Sequence, residues 1–279
     1  MTPSSEPDLR SAVAEAVRRA RAETPFAPSI TNTVTIDFVA NAQLAVGGSA
    51  AMVYLPDEGE AMAEAAKSMY LNAGTLFPFY AETLPRTLRR LAALRRPWVL
   101  DPVAAGIGAL RTELLRAMKD SAPGIIRGNA SEILALASLW GVAAGGKGSD
   151  RGVDATDPVE AAEGAAKALA LHTGGAVAVS GEVDFVTDGR IAARSRGGSR
   201  YMPQVTGCGC SLGGVMAVYA VVAEPFAAAV AATAVYNLAG ARAEKLCRGP
   251  GSFKQAFLDE LYLATPEDVA ANPLETEEA

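Results

Sequence analysis

The sequence predicts an α/β fold with a mostly parallel central sheet and helices on both of its faces. Short apolar runs alternate with longer helical patterns along most of the 279 residues, and this alternation is typical of parallel sheets. Polar and glycine-rich residues follow several of the apolar runs, where ligands bind in such sheets. No internal repeat or shift in composition divides the chain, so we expect a single domain over residues 1–279.

The first half of the chain predicts strands separated by helices. Apolar residues at helical spacing indicate an amphipathic outer helix at its beginning, and short β-branched or apolar runs indicate the strands. The predicted elements are a helix over 8–23, a strand over 31–35, a helix over 36–46, a strand over 50–54, a helix over 58–68, a strand in MYLNAG, a helix ending near residue 94 and a strand in PWVLDP.

The second half predicts two further strands, GIIRGN (124–129) and AVAVSG (176–181), and a hairpin through DFVTDGRIAARS. Residues 215–243 are almost entirely apolar, but Glu224-Pro225 interrupts them and alanine dominates, which favours two buried helices over one membrane span. The acidic end of the chain, NPLETEEA (272–279), is predicted to be frayed.

Composition narrows the class of protein and its partners. The net charge is −6 and no run of lysine and arginine interrupts that acidity, which argues against nucleic acid or anionic membrane as the main partner. Three cysteines are too few for a secreted disulfide framework. The amino terminus lacks the basic and apolar segments of a signal peptide, so we expect a cytoplasmic protein.

Several motifs fall short of a known site. Residues 141–149, GVAAGGKGS, have the spacing of a P-loop, but a glycine replaces the magnesium-binding Ser or Thr. The glycines around Cys208 lack the third glycine of a dinucleotide site, because Leu212 stands there. The cysteines and the lone His172 do not have zinc spacing. His172 is better explained as a cation at a helix C-terminus.

The segment VTGCGCSL leaves two interpretations open. Gly207, Gly209 and two small cysteines can simply let a loop turn tightly into a helix. Alternatively, the backbone N–H groups of residues 207–210 form an anion site at the helix start, where the dipole adds to the unpaired amides. In that case the same field favours the thiolate of Cys210.

Residues at two predicted strand ends also have two explanations. Asn129 and Glu132 have the spacing of a helix capping box, while Arg127 beside them could hold a nucleotide phosphate. Asp101 in VLDP is either a turn aspartate before proline or part of a site at the sheet edge.

Taken in order, the segments TNTVT, SAAMV, DPVAAG, RGNASEI, SGEVDFVTDG, VTGCGCSL and GPGSF resemble those of hydroxyethylthiazole kinases. That family belongs to the ribokinase-like superfamily, and the resemblance runs from about Ile30 to Phe257. It implies a ribokinase-like three-layer fold and transfer of the γ-phosphoryl group of ATP to the hydroxyl of 4-methyl-5-(2-hydroxyethyl)thiazole, with Mg²⁺. It also implies a homotrimer whose thiazole pocket lies between subunits.

The resemblance further assigns roles to individual residues. These are Arg127 and Ser180 for ATP binding, Met52 and Gly207 for thiazole binding, Asp101 and Glu132 for magnesium, and Cys210 with Gly207, Cys208 and Gly209 for catalysis. Three positions depart from the family pattern, since Ser180 and Cys208 stand where Thr is usual and Asp37 where Asn is common.

Two alternatives stay open beside this function. One is a kinase of the same superfamily that acts on another vitamin-precursor alcohol, of the hydroxymethylpyrimidine or pyridoxal type. The other is a sensor that binds the thiazole or the nucleotide without catalysis. A dehydrogenase is disfavoured by the missing dinucleotide fingerprint.

Overall fold

A computed structural model describes residues 6–142 and 158–279. This part of the chain forms eleven α-helices around a single eight-stranded sheet whose strands lie in sequence order, β1 to β8. The five strands β1 to β5 run parallel, and β6, β7 and β8 continue the sheet antiparallel. The strands are β1 (Ser29–Ile30), β2 (Met69–Asn72), β3 (Trp98–Asp101), β4 (Ile125–Asn129), β5 (Ala176–Ser180), β6 (Val183–Thr187), β7 (Ile191–Arg196) and β8 (Leu274–Glu278).

Helices cover both faces of the sheet, because both faces of the parallel strands are apolar. Val99 and Ile125 pack into one core with the helices that begin and end the chain, whereas their neighbours Leu100 and Ile126 pack into a second core. The first core involves α1 (Glu6–Glu23), α2 (Ile36–Ala45), α8 (Cys208–Tyr219), α9 (Pro225–Leu246), α10 (Pro250–Leu263) and α11 (Pro266–Ala270). The second involves α3 (Pro56–Ala65), α4 (Tyr80–Leu94), α5 (Ala109–Met118), α6 (Ala130–Trp140) and α7 (Val159–Thr173).

The long apolar segment forms two buried helices, as predicted. Pro225 opens α9 at a first-turn position, where the missing N–H leaves no helical hydrogen bond unmade. Most side chains of α8 and α9 are buried in the first core. Within the described ranges no helix combines the length and apolarity that crossing a bilayer requires.

Two predicted strands differ from the structure. The first strand covers residues 29–30, and residues 31–35 form a turn in which Thr35 N–H donates to Asn32 O. Residues 50–54 contribute only an isolated bridge between Met52 and Ser29.

The acidic tail was predicted to be frayed, and that prediction is wrong. Residues 274–278 form β8, which pairs with β7 over five residues. Glu277 lies 2.9 Å from Arg194, and Glu275 lies 3.6 Å from Arg196. Arg10 of α1 also donates to the carbonyl of Leu274. Cations on neighbouring elements therefore fix a segment whose composition alone suggests disorder.

The P-loop-like segment falls mainly on residues 143–149 and lies outside the described residues. His172 lies in the last turn of α7, as predicted, with its ring 6.0 Å from that of Trp140.

Candidate active site

Polar residues end four neighbouring parallel strands and meet at one edge of the sheet. Asn72 pairs in register with Asp101, and Asn129 pairs with Ser180. Parallel strands bring their carboxyl ends to the same side, which is where open α/β sheets bind ligands. The register therefore places the predicted polar residues in one row.

Asp101 and Arg127 form a buried ion pair at the centre of this row. The distance from Arg127 Nη1 to Asp101 Oδ2 is 3.3 Å, and the two side chains are 9% and 0% exposed. The other guanidinium nitrogen, Nη2, donates to Ser180 Oγ at 3.2 Å. The pair thus connects β3, β4 and β5.

Asp101 Oδ2 accepts two further hydrogen bonds. They come from the hydroxyl of Tyr70 at 2.8 Å and from the amide of Asn72 at 3.1 Å. Asp101 Oδ1 and Arg127 Nε are buried without a partner among the described residues. Since unpaired buried polar atoms are costly, these two atoms mark where a ligand group could bind.

Burial raises the pKa of Asp101 to about 6, against the opposing effect of Arg127. Burial alone would lower the pKa of Arg127, but the charges of Asp101 and Glu132 outweigh it and the pKa is raised. Arg127 therefore remains a cation in this site.

Helix α8 begins next to Arg127 with an uncapped first turn. Gly207 occupies the N-cap position with φ +97°, and it has no side chain that could accept from the first turn. A Cβ at Gly209 would lie 2.6–3.0 Å from the Arg127 guanidinium, so only glycine allows this close approach. Cys208 N–H donates to Val205 O, so that amide is already used.

Gly207 also packs against the turn that precedes α2. A Cβ there would lie 3.0 Å from Thr35 Cγ2 and 3.3 Å from Phe38 Cδ1. The left-handed conformation and the crowding together require glycine at this position. The start of α8 is therefore held between β4 on one side and the β1–α2 turn on the other.

Cys210 lies in the first turn of α8 and accepts a hydrogen bond from Asn32. The distance from Asn32 Nδ2 to Cys210 Sγ is 3.3 Å, and the same nitrogen lies 3.1 Å from Asn72 Oδ1. A chain of polar contacts thus runs from Cys210 through Asn32 and Asn72 to Asp101.

The expectation that the helix start favours the Cys210 thiolate is wrong. Burial, with a contribution from the charge of Asp101, raises the pKa of Cys210 above its ordinary value. Burial likewise raises the pKa of Cys208 to about 12. The cost of burying a thiolate outweighs the helix field here. Both cysteines are free thiols.

Glu132 forms the predicted capping box at the start of α6. Its Oε2 accepts from Asn129 N–H at 2.9 Å, and Asn129 Oδ1 accepts in return from Glu132 N–H at 2.9 Å. Glu132 Oε1 accepts from Ala104 N–H at 3.2 Å. Among the described residues, no cluster of three or more acidic, His or Cys side chains has the arrangement of a metal site.

A cleft of about 780 Å³ opens beside the start of α8. Four of the predicted site residues line it, namely Arg127, Ser180, Cys208 and Gly209. The residues that line the cleft come from β4, from the end of β5 and the turn after it, from β6, from the segment after β7, and from α8 and α9. The volume is in the range of small-molecule sites.

Met52 lies apart from these residues. It bridges Ser29 on the side of β1 away from β2, at the outer edge of the sheet. Arg127 on β4 is four strand positions away, which corresponds to roughly 19 Å at the usual spacing of about 4.8 Å. Asp37, which departs from the family pattern, pairs with Lys254 at 3.2 Å.

The sequence analysis did not identify Tyr70 and Asn32 as site residues. Tyr70 lies in an apolar strand, where its sequence context gives no sign of a site. A buried tyrosine hydroxyl usually has a hydrogen-bond partner, and that rule could have identified Tyr70 as a candidate. Asn32 lies in a segment that was expected to be a strand, so its position beside Cys210 could not be anticipated.

Comparison with known proteins identifies the family of this chain. The model of the hydroxyethylthiazole kinase family matches residues 17–267. The chain belongs to the hydroxyethylthiazole kinase family. A hydroxyethylthiazole kinase of Bifidobacterium adolescentis is 52% identical over 277 residues, covering 95% of this chain and 94% of the relative. One from Cereibacter sphaeroides is 47% identical over 247 residues, covering 88% and 92%.

Solved structures agree with this membership. The hydroxyethylthiazole kinase protein from Pyrococcus horikoshii OT3 matches with a TM-score of 0.84 and 30% identity, over 96% of this chain and 99% of that one. The pyridoxal kinase from Staphylococcus aureus matches with a TM-score of 0.60 and 15% identity, over 91% and 99%. The second likeness concerns the fold alone, which is the ribokinase-like fold that the sequence predicts.

Proposed function

We propose that this hydroxyethylthiazole kinase family member transfers the γ-phosphoryl group of ATP to the hydroxyl of 4-methyl-5-(2-hydroxyethyl)thiazole, in thiamine salvage. One observation supports this most directly. An uncapped helix start and a buried arginine lie together at a cleft of about 780 Å³. Cys210, which does not line that cleft, lies in the first turn of the same helix and accepts a hydrogen bond from Asn32. Phosphoryl transfer depends mainly on such positioning and on stabilisation of charge.

The nucleotide would bind with its phosphates near Arg127 and Ser180. Arg127 is held as a cation by Asp101, and its Nε has no partner among the described residues. A guanidinium that is fixed in place binds phosphate oxygens with little loss of side-chain freedom. In the same assignment, Ser180 orients Arg127 and contacts the nucleotide through its hydroxyl.

The amides at the start of α8 would stabilise the transferring group. Gly207 and Gly209 present the glycine-rich backbone that a phosphoryl group can approach closely, on either side of Cys208, whose own amide donates to Val205 O. Cys208 would act through its position only, because its thiol stays protonated at neutral pH. Negative charge on the γ-phosphoryl oxygens is favoured there by the helix dipole.

The acceptor would bind near Gly207 and Met52, with Cys210 facing its hydroxyl. The alcohol oxygen forms the new bond to the γ-phosphorus while the bond between that phosphorus and the β–γ bridging oxygen breaks. Cys210 Sγ would orient the hydroxyl and receive its proton in the fraction of molecules that carry the thiolate. The hydrogen bond from Asn32 to Cys210 Sγ supports a role for the sulfur as an acceptor.

The residues present fit one magnesium ion bound mainly by phosphates and water. Asp101 Oδ1 is a buried carboxylate oxygen without a partner among the described residues. Mg²⁺ usually binds one or two carboxylates and completes its shell with water and phosphate. Asp101 would be the direct ligand, and Glu132, whose oxygens both accept backbone N–H groups, would fix the surrounding loop. When bound, magnesium neutralises charge on the phosphates.

The same proposal includes a cytoplasmic homotrimer with the thiazole pocket between subunits. The position of Met52 at the outer edge of the sheet supports a pocket that a neighbouring subunit completes. The three free cysteines are compatible with a reducing compartment.

The decisive experiment measures turnover with ATP and hydroxyethylthiazole, detecting the thiazole monophosphate by mass spectrometry. Hydroxymethylpyrimidine and pyridoxal serve as comparison alcohols. We expect the thiazole to have the highest kcat/KM, and a higher value for another alcohol would reassign the substrate. Thermal stabilisation by ATP and thiazole without release of ADP would instead identify a sensor.

A further inference from the structure

A second polar cluster lies in the same cleft, on the antiparallel part of the sheet. Asp184 of β6 and Ser195 of β7 are cross-strand partners. Asn237 of α9 lies beside both, and its Nδ2 donates to Asp184 Oδ2 at 3.0 Å and to Ser195 Oγ at 2.9 Å. Asp184 and Asn237 both line the cleft. Neither residue belongs to the catalytic, nucleotide or acceptor assignments made above.

Asp184 and Asn237 hold two turns that form walls of the cleft, Asp184 through its side chain and Asn237 through its backbone carbonyl. Asp184 Oδ1 accepts from Gly181 N–H at 2.9 Å, and Gly181 directly follows Ser180. The carbonyl of Asn237 accepts from Gly198 N–H at 2.9 Å, in the turn after β7. Gly197 also packs closely against Asn237, because a Cβ at Gly197 would lie 3.0 Å from Asn237 Cβ. The pair therefore ties the turns after β5 and β7 to one helix.

A carboxylate is a costly group to place in a cleft that receives phosphates. Burial raises the pKa of Asp184 to about 6, although the Gly181 N–H and the Asn237 amide oppose the change. Both carboxylate oxygens are occupied by N–H donors. An uncharged residue could fill this space at lower cost. The charge is therefore best explained by the strength with which it fixes those donors.

We propose that Asp184 and Asn237 are a positioning pair for the nucleotide, setting the affinity for ATP through the Ser180–Gly181 and Gly197–Gly198 turns. This inference rests on the proposed function in taking ATP as the ligand. Ser180 accepts a hydrogen bond from Arg127, so a shift of the Ser180 turn also moves the guanidinium. Cys210, by contrast, is held through Asn32. Changes at Asp184 thus act on the nucleotide and leave the acceptor hydroxyl in place.

The test compares Asp184→Asn with the exchange variant Asp184→Asn/Asn237→Asp. The single change leaves one side-chain oxygen at position 184 for two donors, the Gly181 N–H and the Asn237 amide, so one of these hydrogen bonds is lost. The exchange restores one acceptor and one donor at the contact with position 237. We expect the single variant to bind the non-hydrolysable analogue AMP-PNP about tenfold more weakly by calorimetry, as for loss of one hydrogen bond to a charged group. The exchange variant is expected to recover to within about threefold of the wild type.

Steady-state kinetics supply a readout that a general structural defect does not give. In the single variant KM for ATP rises with the Kd, while KM for hydroxyethylthiazole and kcat stay within about twofold of the wild type. Unchanged AMP-PNP affinity in the single variant overturns the inference, and so does an exchange variant that is no better than the single one.

These outcomes are separate from those of the proposed function. If the wild type binds AMP-PNP and the exchange restores binding, the positioning pair is supported even when hydroxyethylthiazole is not phosphorylated. A wild type that phosphorylates the thiazole while Asp184→Asn binds AMP-PNP normally supports the function and overturns the pair.

Discussion

Helices α6 and α8 both begin at the carboxyl ends of the parallel strands, but the first turn of α6 is capped by side chains and that of α8 is not. At the start of α6, Asn129 and Glu132 occupy the orphan backbone groups with a reciprocal capping box. At the start of α8, Gly207 offers no capping side chain, and the Arg127 guanidinium lies against Gly209. Every helix start carries unpaired amides and a positive dipole end. Only a start that the protein leaves uncapped can give those groups to a ligand.

Adding a side chain at the uncapped start of α8 has the largest expected effect on kcat/KM. In Gly209→Ala the new Cβ would lie 2.6–3.0 Å from the Arg127 guanidinium, which must move away from its position. We expect kcat/KM to fall by about 100-fold or more, as when a transition-state donor is lost. Steady-state assays with ATP and hydroxyethylthiazole measure the change.

Gly141→Ala is the matched control at the other end of α6. Gly141 has φ +60°, and a Cβ there would meet no atom of the residues that the structure describes within 4 Å. That variant loses some stability through backbone strain but keeps its turnover. Full activity in Gly209→Ala would show that the open start of α8 takes no part in the reaction.

Removing the Arg127 guanidinium beside the start of α8 has the second-largest expected effect. In Arg127→Ala the buried Asp101 loses its charged partner, and breaking such a pair costs about 3–5 kcal/mol of folding free energy. The ATP site also loses its guanidinium, so KM for ATP rises more than KM for the thiazole.

Arg127→Lys separates the two effects. The lysine keeps the charge beside Asp101 and recovers stability in a thermal melt, but it lacks the planar fork that reaches Ser180. We therefore expect its KM for ATP to stay raised. An unchanged KM for ATP in Arg127→Ala contradicts the assignment.

A smaller change tests the side chain in the first turn of α8. Cys210→Ala is expected to lower kcat by about tenfold to 100-fold, as for loss of a general base or of an orienting group. Cys210→Asp keeps or raises turnover, because a carboxyl group has a much lower ordinary pKa than a thiol and is therefore ionised in a larger fraction of molecules at neutral pH.

The pH profile sharpens this result. The pKa of Cys210 is raised above its ordinary value, so the thiolate is a minority species at neutral pH and its fraction grows as the pH rises. Wild-type kcat should therefore increase toward pH 9, while the Cys210→Asp variant shows a flatter profile. Normal turnover of Cys210→Ala across pH 6–9 rules out the proton-accepting role.

Removing the cap at the start of α6 has the smallest expected effect on turnover. Asn129→Ala removes one side of the capping box and is expected to cost about 1 kcal/mol of stability, with little change in kcat. Thr265→Ala removes an equivalent cap at α11 and provides the control. Thermal melts and turnover assays compare the two. Loss of turnover in folded Asn129→Ala alone would mean that α6 also serves the reaction.

The sequence predicted the parts of the fold in which local pattern and tertiary structure agree. The strands predicted at 124–129 and 176–181 correspond to β4 (Ile125–Asn129) and β5 (Ala176–Ser180), because continuous apolar runs suit a sheet that is buried on both faces. The turn at 31–35 and the strand at 274–278 were not predictable in this way. The first depends on where the sheet ends, and the second on cations contributed by distant residues.

For the candidate site, the sequence predicted the positions of residues at strand ends, but it did not predict the direction of the pKa shift of Cys210. The rule that ligands bind at carboxyl strand ends predicted that Asp101, Arg127 and Ser180 lie at the same end of the sheet, and the contacts of Arg127 with both other side chains confirm that they lie together. The raised pKa of Cys210 depends on burial and on Asp101, more than 100 positions away in the chain. Such long-range effects cannot be derived from the local motif.

The terminal strand β8 has a practical consequence for handling the protein. The N–H of Ala279 donates to the carbonyl of Arg190, so the last residue is fixed against the hairpin. A purification tag fused directly behind Ala279 would begin at an ordered sheet edge and needs a flexible spacer. The exposed glutamates of this edge also carry like charges, which discourage sideways association into fibrils.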